Sequence, residues 1–95
     1  MVQDHLAPAL HAAIAEEIRG MRMLIEQLAE QLTGDERFAL HHFEQLQTFD
    51  LIVQRADESA DLLDRMASGS RVVEAVDAVR LTAVQDRLRA ALLAA

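Results

Sequence analysis

Asp50 and Gln54 are the two polar residues whose types and spacing best suit chemistry at a protein surface. They lie in the middle of the longest helical pattern in the chain, and residues four apart on a helix share one face. With about 100° of rotation per residue, both side chains leave the same flank of a helix whose buried stripe is centred on Phe49. A carboxylate and a carboxamide placed there can reach together into another protein. The same spacing also fits an ordinary solvated helix surface.

The sequence contains few residues or patterns that could form another kind of reactive site. There is no Cys, and adjacent His41 and His42 diverge by about 100° on a helix, so they do not easily share one ion. No H-x-x-x-H or H-E-x-x-H pattern, glycine-rich phosphate loop or nucleophile elbow occurs. We therefore expect no metal site, no cofactor bound by the chain itself and no self-sufficient pocket enzyme.

The acidic net charge argues against some classes of binding partner. The net charge of -7 repels phosphate backbones, so we expect no nucleic-acid binding. No polybasic cluster points to an anionic membrane, and no apolar run approaches the length of a membrane span. The absence of Cys and of a visible secretory signal favours a cytoplasmic location.

The composition predicts an all-α protein of one small domain. Aliphatic residues and Ala supply nearly all of the apolar surface, whereas Gly and Pro together number only four. Helix 1 is predicted over about 8–32, with Asp4 or His5 just before it. Its apolar residues repeat at alternating steps of four and three, which indicates a packing seam. The seam residues are Ile14, Ile18, Met21, Ile25, Leu28 and Leu32.

Two further helices are predicted after short breaks. Gly34 and Asp35 suit the end of helix 1 and the N-cap of helix 2, which is predicted over about 36–67. The short connection predicts a long antiparallel hairpin. Ser68-Gly69-Ser70 is the second break, and helix 3 is predicted over about 71–93 with a less regular apolar pattern. A core this small would be enlarged by association with a second copy of the chain.

Helix 2 carries two further features on its surface. Asp57, Asp61 and Asp64 make one flank acidic, which is typical of a solvated helix face and also suits a basic partner. Leu40, Leu51 and Leu62 form an apolar row on the side away from Phe49. We expect either helix 3 or a second subunit to cover this row.

The run Asp50-Leu51-Ile52-Val53-Gln54 resembles the D-x-x-x-Q signature of the CheZ family of chemotaxis phosphatases, including the shorter CheZ-like proteins called CheT. In that family the signature lies in the middle of a helix of a long antiparallel hairpin, and two hairpins form a dimeric four-helix bundle. The resemblance therefore implies that this chain is a homodimer whose core is a four-helix bundle. The residues before the signature, Gln47 and Phe49, are similar to those of the family. The resemblance covers the hairpin, which is about two thirds of the chain.

The resemblance implies a function and a role for each residue. The substrate is a CheY-like response regulator phosphorylated on an aspartate, and the regulator itself holds the Mg²⁺ ion. Gln54 would orient the hydrolytic water, as a Gln does in GTPases. Asp50 would pair with the active-site Lys of the regulator. Full-length CheZ proteins add a flexible linker and a tethering segment, whereas here helix 3 follows directly after Ser68-Gly69-Ser70 without a Pro/Gly-rich linker. The sequence does not show whether a tethering segment exists, and docking on the bundle alone is the expectation.

Two other functions fit the same pattern of helices. A helical hairpin with an exposed His is typical of histidine phosphotransfer domains, and His41 or His42 would then carry the phosphoryl group. The run Ala39-Leu40-His41-His42-Phe43-Glu44 lacks the H-x-x-K-G sequence of those domains. A non-catalytic helical adaptor or dimerisation protein is the third possibility. The sequence does not assign a role to helix 3.

Overall fold

The computed structural model describes residues 6–95, which form α-helices and contain no β-strand. The helices are α1 (Leu6–Thr33), α2 (Glu36–His41), α3 (Phe43–Ala67), α4 (Val72–Asp77) and α5 (Thr82–Ala94). The predicted all-α class is confirmed for this part of the chain. The predicted flanking residues Asp4 and His5 lie outside the described residues. No described helix combines the length and the apolar character needed to cross a bilayer.

Helices α1 and α3 pack side by side along the molecule, whose longest dimension is 56 Å. The predicted break between them is confirmed. The Gly34 N–H donates to the Glu30 carbonyl at 3.1 Å and closes α1. Asp35 caps α2, because its carboxylate accepts the backbone N–H groups of Arg37 at 2.9 Å and Phe38 at 3.3 Å. The tight connection folds α3 back along α1 as an antiparallel hairpin.

The continuous helix predicted over 36–67 is wrong at one residue, because His42 interrupts it. Its backbone angles are φ −129° and ψ 32°, outside the helical region. The His42 ring stacks on Phe38 with centroids 4.2 Å apart. Its Nδ1 lies 3.2 Å from the Phe38 carbonyl oxygen, which also accepts the His42 N–H. The helical N–H bond of His42 is thus kept, but its backbone angles end α2, and α3 begins afresh at Phe43.

The single helix predicted over 71–93 is also wrong, because it is two helices separated by residues 78–81. We call these four residues the tip. The Arg80 N–H donates to the carboxylate of Glu58 on α3, so it is not available to a carbonyl of α4. This tertiary hydrogen bond favours a break that local sequence preference does not reveal. The preceding break at residues 68–70 is confirmed, and Gly69 supplies its positive φ of 100°.

Helices α4 and α5 form a small second hairpin against the C-terminal half of α3. Arg65 holds α4 by donating from Nε and Nη2 to the Ala75 carbonyl at 3.2 and 2.9 Å. Gln85 of α5 donates from Nε2 to the carbonyls of Val76 and Asp77, both at 3.1 Å. These bonds satisfy acceptors near the end of α4 that a helix leaves unpaired. The tip therefore has a defined position beside α3.

The buried core consists of small side chains, which are Ala15, Ala60, Ala75, Val76, Val79 and Val84. The large residues of the predicted seam are only partly covered. Ile14, Met21 and Leu28 are exposed, and Met21 keeps 57% of its surface accessible. In the apolar row on the far side of α3, α4 and α5 leave Leu51 exposed, whereas Leu62 is half-buried. One chain alone thus leaves much of its large apolar surface in water.

Candidate functional site

Asp50 and Gln54 lie one turn apart on α3, and both side chains are exposed. Because α3 is unbroken from Phe43 to Ala67, the two residues are held in a fixed spacing on one helix flank. Within residues 6–95, neither side chain forms a hydrogen bond or an ion pair. Both polar tips are therefore available to another molecule.

Asp50 lines a shallow groove between α1 and α3, and the volume of this groove is about 260 Å³. Glu26 and Glu30 of α1 line the same groove, and Phe49 and Val53 contribute apolar walls. Glu26 is paired with Arg22 at 2.8 Å, whereas Glu30 forms no ion pair within the described residues. The surface around Asp50 is consequently acidic, which suits a cationic group of a partner.

Gln54 lines a second depression of about 300 Å³, next to the groove that contains Asp50. Its other walls are Asp57 and Glu58 of α3 and Arg80 and Leu81 of the tip. The surface around Gln54 is therefore formed by more than α3. The α4–α5 hairpin contributes Arg80 and Leu81 of the tip to it. No local pattern in the sequence predicts this neighbour.

The acidic flank predicted to face solvent or a basic partner is instead tied to α1. Arg19 is paired with Asp61 at 3.3 Å and with Asp64 at 2.5 Å, while Arg22 Nε lies 2.6 Å from Asp57. Each of the three aspartates already pairs with a cation of the same chain, and their role in orienting a basic partner stays a prediction. The pairs cross the hairpin and fix the register of α1 against α3.

Glu58 is a structural and electrostatic centre that sequence reasoning missed. Its side chain is buried, and the residue keeps 4% of its surface exposed. It accepts the Arg80 backbone N–H at Oε1, and Arg80 Nε and Nη2 at Oε2 at 3.1 and 2.9 Å. These bonds, first of all the one from the backbone N–H, lower the pKa of Glu58 below its usual value. An isolated Glu and an isolated Arg 22 residues apart carry no local pattern, so only the tertiary fold reveals the pair.

We expect Glu58→Gln to destabilise the α4–α5 hairpin by about 1–3 kcal/mol at pH 7, because hydrogen bonds to a charged group are the stronger kind. Since folding lowers the pKa of Glu58, its stabilisation is present above the unfolded value near 4.5 and is lost as pH falls through the folded value. Chemical denaturation from pH 7 to 3 measures both effects. The variant should show a shallower loss of stability below pH 4.5 than the wild type. Equal stability and an equal pH profile would contradict the assignment.

The two adjacent histidines occupy different environments. His41 is exposed at the last residue of α2, whereas His42 is half-buried, stacked on Phe38 and in contact with its carbonyl. Over residues 6–95, no group of three or more His, Cys, Asp or Glu side chains is arranged to hold a metal ion. Of the two histidines, only His41 presents an open ring for phosphoryl transfer.

Comparison with known proteins identifies no relative of this chain. No protein-family model, no curated protein and no solved structure matches the chain. The functional assignment therefore depends on the geometry of the Asp50–Gln54 flank and its neighbours.

Proposed function

We propose that the protein is a phosphatase that dephosphorylates a CheY-like response regulator, with Gln54 and Asp50 as its working residues. One observation carries the proposal. The four C-terminal carboxylates of α3 are bound to arginines of the same chain, whereas the exposed Asp50 and the exposed Gln54, one turn apart, have no partner within residues 6–95. The bound carboxylates are Asp57, Glu58, Asp61 and Asp64.

The reaction is the hydrolysis of an aspartyl phosphate. Water oxygen forms a bond to phosphorus, the bond between phosphorus and the carboxylate oxygen breaks, and the products are a free carboxylate, inorganic phosphate and a proton. The carboxamide of Gln54 can accept a hydrogen bond from the water and donate one to it, holding it in line with the bond that breaks. Such positioning supplies several kcal/mol without a strong base in the site. The regulator holds Mg²⁺, and this chain supplies no metal of its own.

Asp50 has a separate role in docking. By its resemblance to the family signature, its carboxylate pairs with the active-site Lys of the regulator, and the acidic groove with Glu26 and Glu30 favours the approach of that cation. The protein and the regulator would then both be located in the cytoplasm.

We propose further that two hairpins associate as a four-helix bundle. The accessible surface is 7020 Å², whereas a monomeric protein of this mass exposes about 5,500 Å². The exposed large residues of one flank are Leu10, Ile14, Met21, Leu24 and Leu28 of α1 and Ile52 of α3. We call these six residues the apolar flank. Taking about 100° per residue, Ile52 leaves α3 more than 100° away from Asp50 and Gln54, so a second copy covers this flank without blocking the site.

Steady-state phosphate release from phosphorylated regulators of the source organism tests the docking role. We expect Asp50→Ala to raise KM about tenfold and to lower kcat less, because it removes a charged contact made on binding. Glu44→Ala is the matched control, since Glu44 is another exposed carboxylate of α3 without an ion pair in the described residues. A large fall in kcat with unchanged KM would instead assign Asp50 to the chemical step, and equal kinetics would remove it from the site.

Histidine phosphotransfer remains the second candidate, since His41 is exposed at the end of α2. It predicts a phosphoryl group on the protein itself. Transfer of label from a phosphorylated regulator to the wild type, and its loss in His41→Gln, would support this function over hydrolysis.

A further inference from the structure

The tip places a cation beside Gln54. Gln54 and Glu58 are neighbours at i and i+4 on α3, and Arg80 and Leu81 face them across the depression of about 300 Å³. The Arg80 side chain keeps 78% of its surface exposed although it is bound to a buried carboxylate. This arrangement leaves part of the guanidinium free to contact a molecule that approaches Gln54.

The hydrogen bonds of Arg80 use one edge of its guanidinium. Nε and Nη2 both donate to Glu58 Oε2, and Nη2 lies 3.7 Å from Asp61 Oδ2. Within residues 6–95, Nη1 has no partner. The Glu58 carboxylate also raises the pKa of Arg80, so the cation is retained at any physiological pH. A planar guanidinium fixed by one edge is pre-organised to bind an oxyanion with the other.

We propose that Arg80 is a second catalytic residue of this site, which contacts the phosphoryl oxygens of the regulator's aspartyl phosphate through its free Nη1 edge. This inference depends on the proposed phosphatase function. As the bond from phosphorus to the carboxylate breaks and the bond to water forms, negative charge is spread over the phosphoryl oxygens and the leaving carboxylate. An arginine placed at those oxygens stabilises this charge, as it does in other phosphoryl transfers.

The pairing with Glu58 limits the size of the effect. Glu58 neutralises part of the charge of Arg80, so we expect a smaller contribution than that of an unpaired arginine supplied in trans. The expected loss is about 10- to 100-fold in kcat for Arg80→Ala, with KM changed less than threefold. This division between kcat and KM distinguishes contact with the reacting phosphoryl group from a contribution to docking alone.

Two variants and one control test the proposal in the full-length protein. Arg80→Ala removes the cation, and Arg80→Lys keeps the charge that pairs with Glu58 but has no second edge for the phosphoryl oxygens. Arg87→Ala is the control, because Arg87 is an exposed arginine of α5 without an ion pair in the described residues. We expect both Arg80 variants to lose kcat while the control retains it. Far-UV circular dichroism and thermal unfolding show whether each variant keeps its helices.

The outcomes separate this inference from the proposed function. Wild-type acceleration that requires Gln54 but persists in a folded Arg80→Lys protein would overturn the role of Arg80 and leave the phosphatase intact. A rise in KM alone would also overturn it, since the arginine would then serve docking. No acceleration by the wild type would overturn both. If Arg80→Ala loses its helices, the kcat of Arg80→Lys decides.

Discussion

Gln54→Ala is expected to abolish the acceleration of phosphate release, with a loss of about 100-fold or more. The substitution removes the only group proposed to hold the attacking water, and positioning accounts for most of what a protein contributes to phosphoryl transfer. The side chain is exposed and makes no hydrogen bond to any of residues 6–95, so its removal leaves no buried group without a partner. Single-turnover release of phosphate from the labelled regulator measures the rate.

Gln27→Ala provides the matched control for this substitution. Gln27 is an exposed glutamine on α1, outside both depressions, and the chemical change is the same. Alanine favours helix slightly more than glutamine, so neither variant should lose helicity. Retained acceleration in Gln54→Ala, with circular dichroism unchanged, would show that the hydrolytic water is held by some other group.

Met21→Glu is expected to convert the proposed dimer into a monomer at micromolar concentrations. Met21 lies in the apolar flank and lines a groove with Ile18, Ile52 and Ala56 between α1 and α3. Two-fold symmetry buries the substituted residue twice, so each dimer gains two unpaired carboxylates in an apolar interface. We expect Kd to rise by at least about 100-fold, which corresponds to roughly 2.7 kcal/mol.

Sedimentation equilibrium measures the mass, which should be twice 10.6 kDa for the wild type. Leu93→Glu is the control, because Leu93 is 87% exposed on α5, outside the apolar flank. A second readout guards against unfolding, since the melting temperature of a dimer rises with protein concentration and that of a monomer does not. A wild type that sediments as a monomer with a concentration-independent melting temperature would contradict the four-helix bundle.

The local signals in the sequence predicted the hairpin because they act over a few residues. Asp35 at the N-cap of α2 and Gly69 at the second break each satisfy a requirement of their own turn. The common flank of Asp50 and Gln54 follows from helix geometry alone, and unbroken α3 preserves it. These parts needed no knowledge of distant contacts.

The predictions that failed involve contacts between residues distant in sequence, or a backbone conformation that the apolar pattern does not specify. The register of the hairpin decides that Arg19 and Arg22 meet the aspartates of α3, and helical periodicity does not specify that register. The division of helix 3 depends on Glu58 binding the Arg80 N–H. Helix 2 is interrupted at His42 by backbone angles outside the helical region, at a position that the apolar pattern had assigned to the helix stripe.

The candidate site is therefore built from two structural elements. The D-x-x-x-Q pattern describes one helix flank, whereas the structure adds the tip and its arginine next to Gln54. A tertiary pair between a buried glutamate and an exposed arginine leaves no motif in the sequence. It becomes visible only when the fold brings α3 and the tip together.

The most direct test of the central claim is the rate of phosphate release from each phosphorylated CheY-like regulator of the source organism, measured with and without the wild-type protein. We predict that at least one regulator loses its phosphate faster in proportion to the protein added, with inorganic phosphate as the product and no phosphoryl group retained on the protein. An unchanged rate for every regulator would contradict the phosphatase function, and label that moved to the protein would assign it to histidine phosphotransfer.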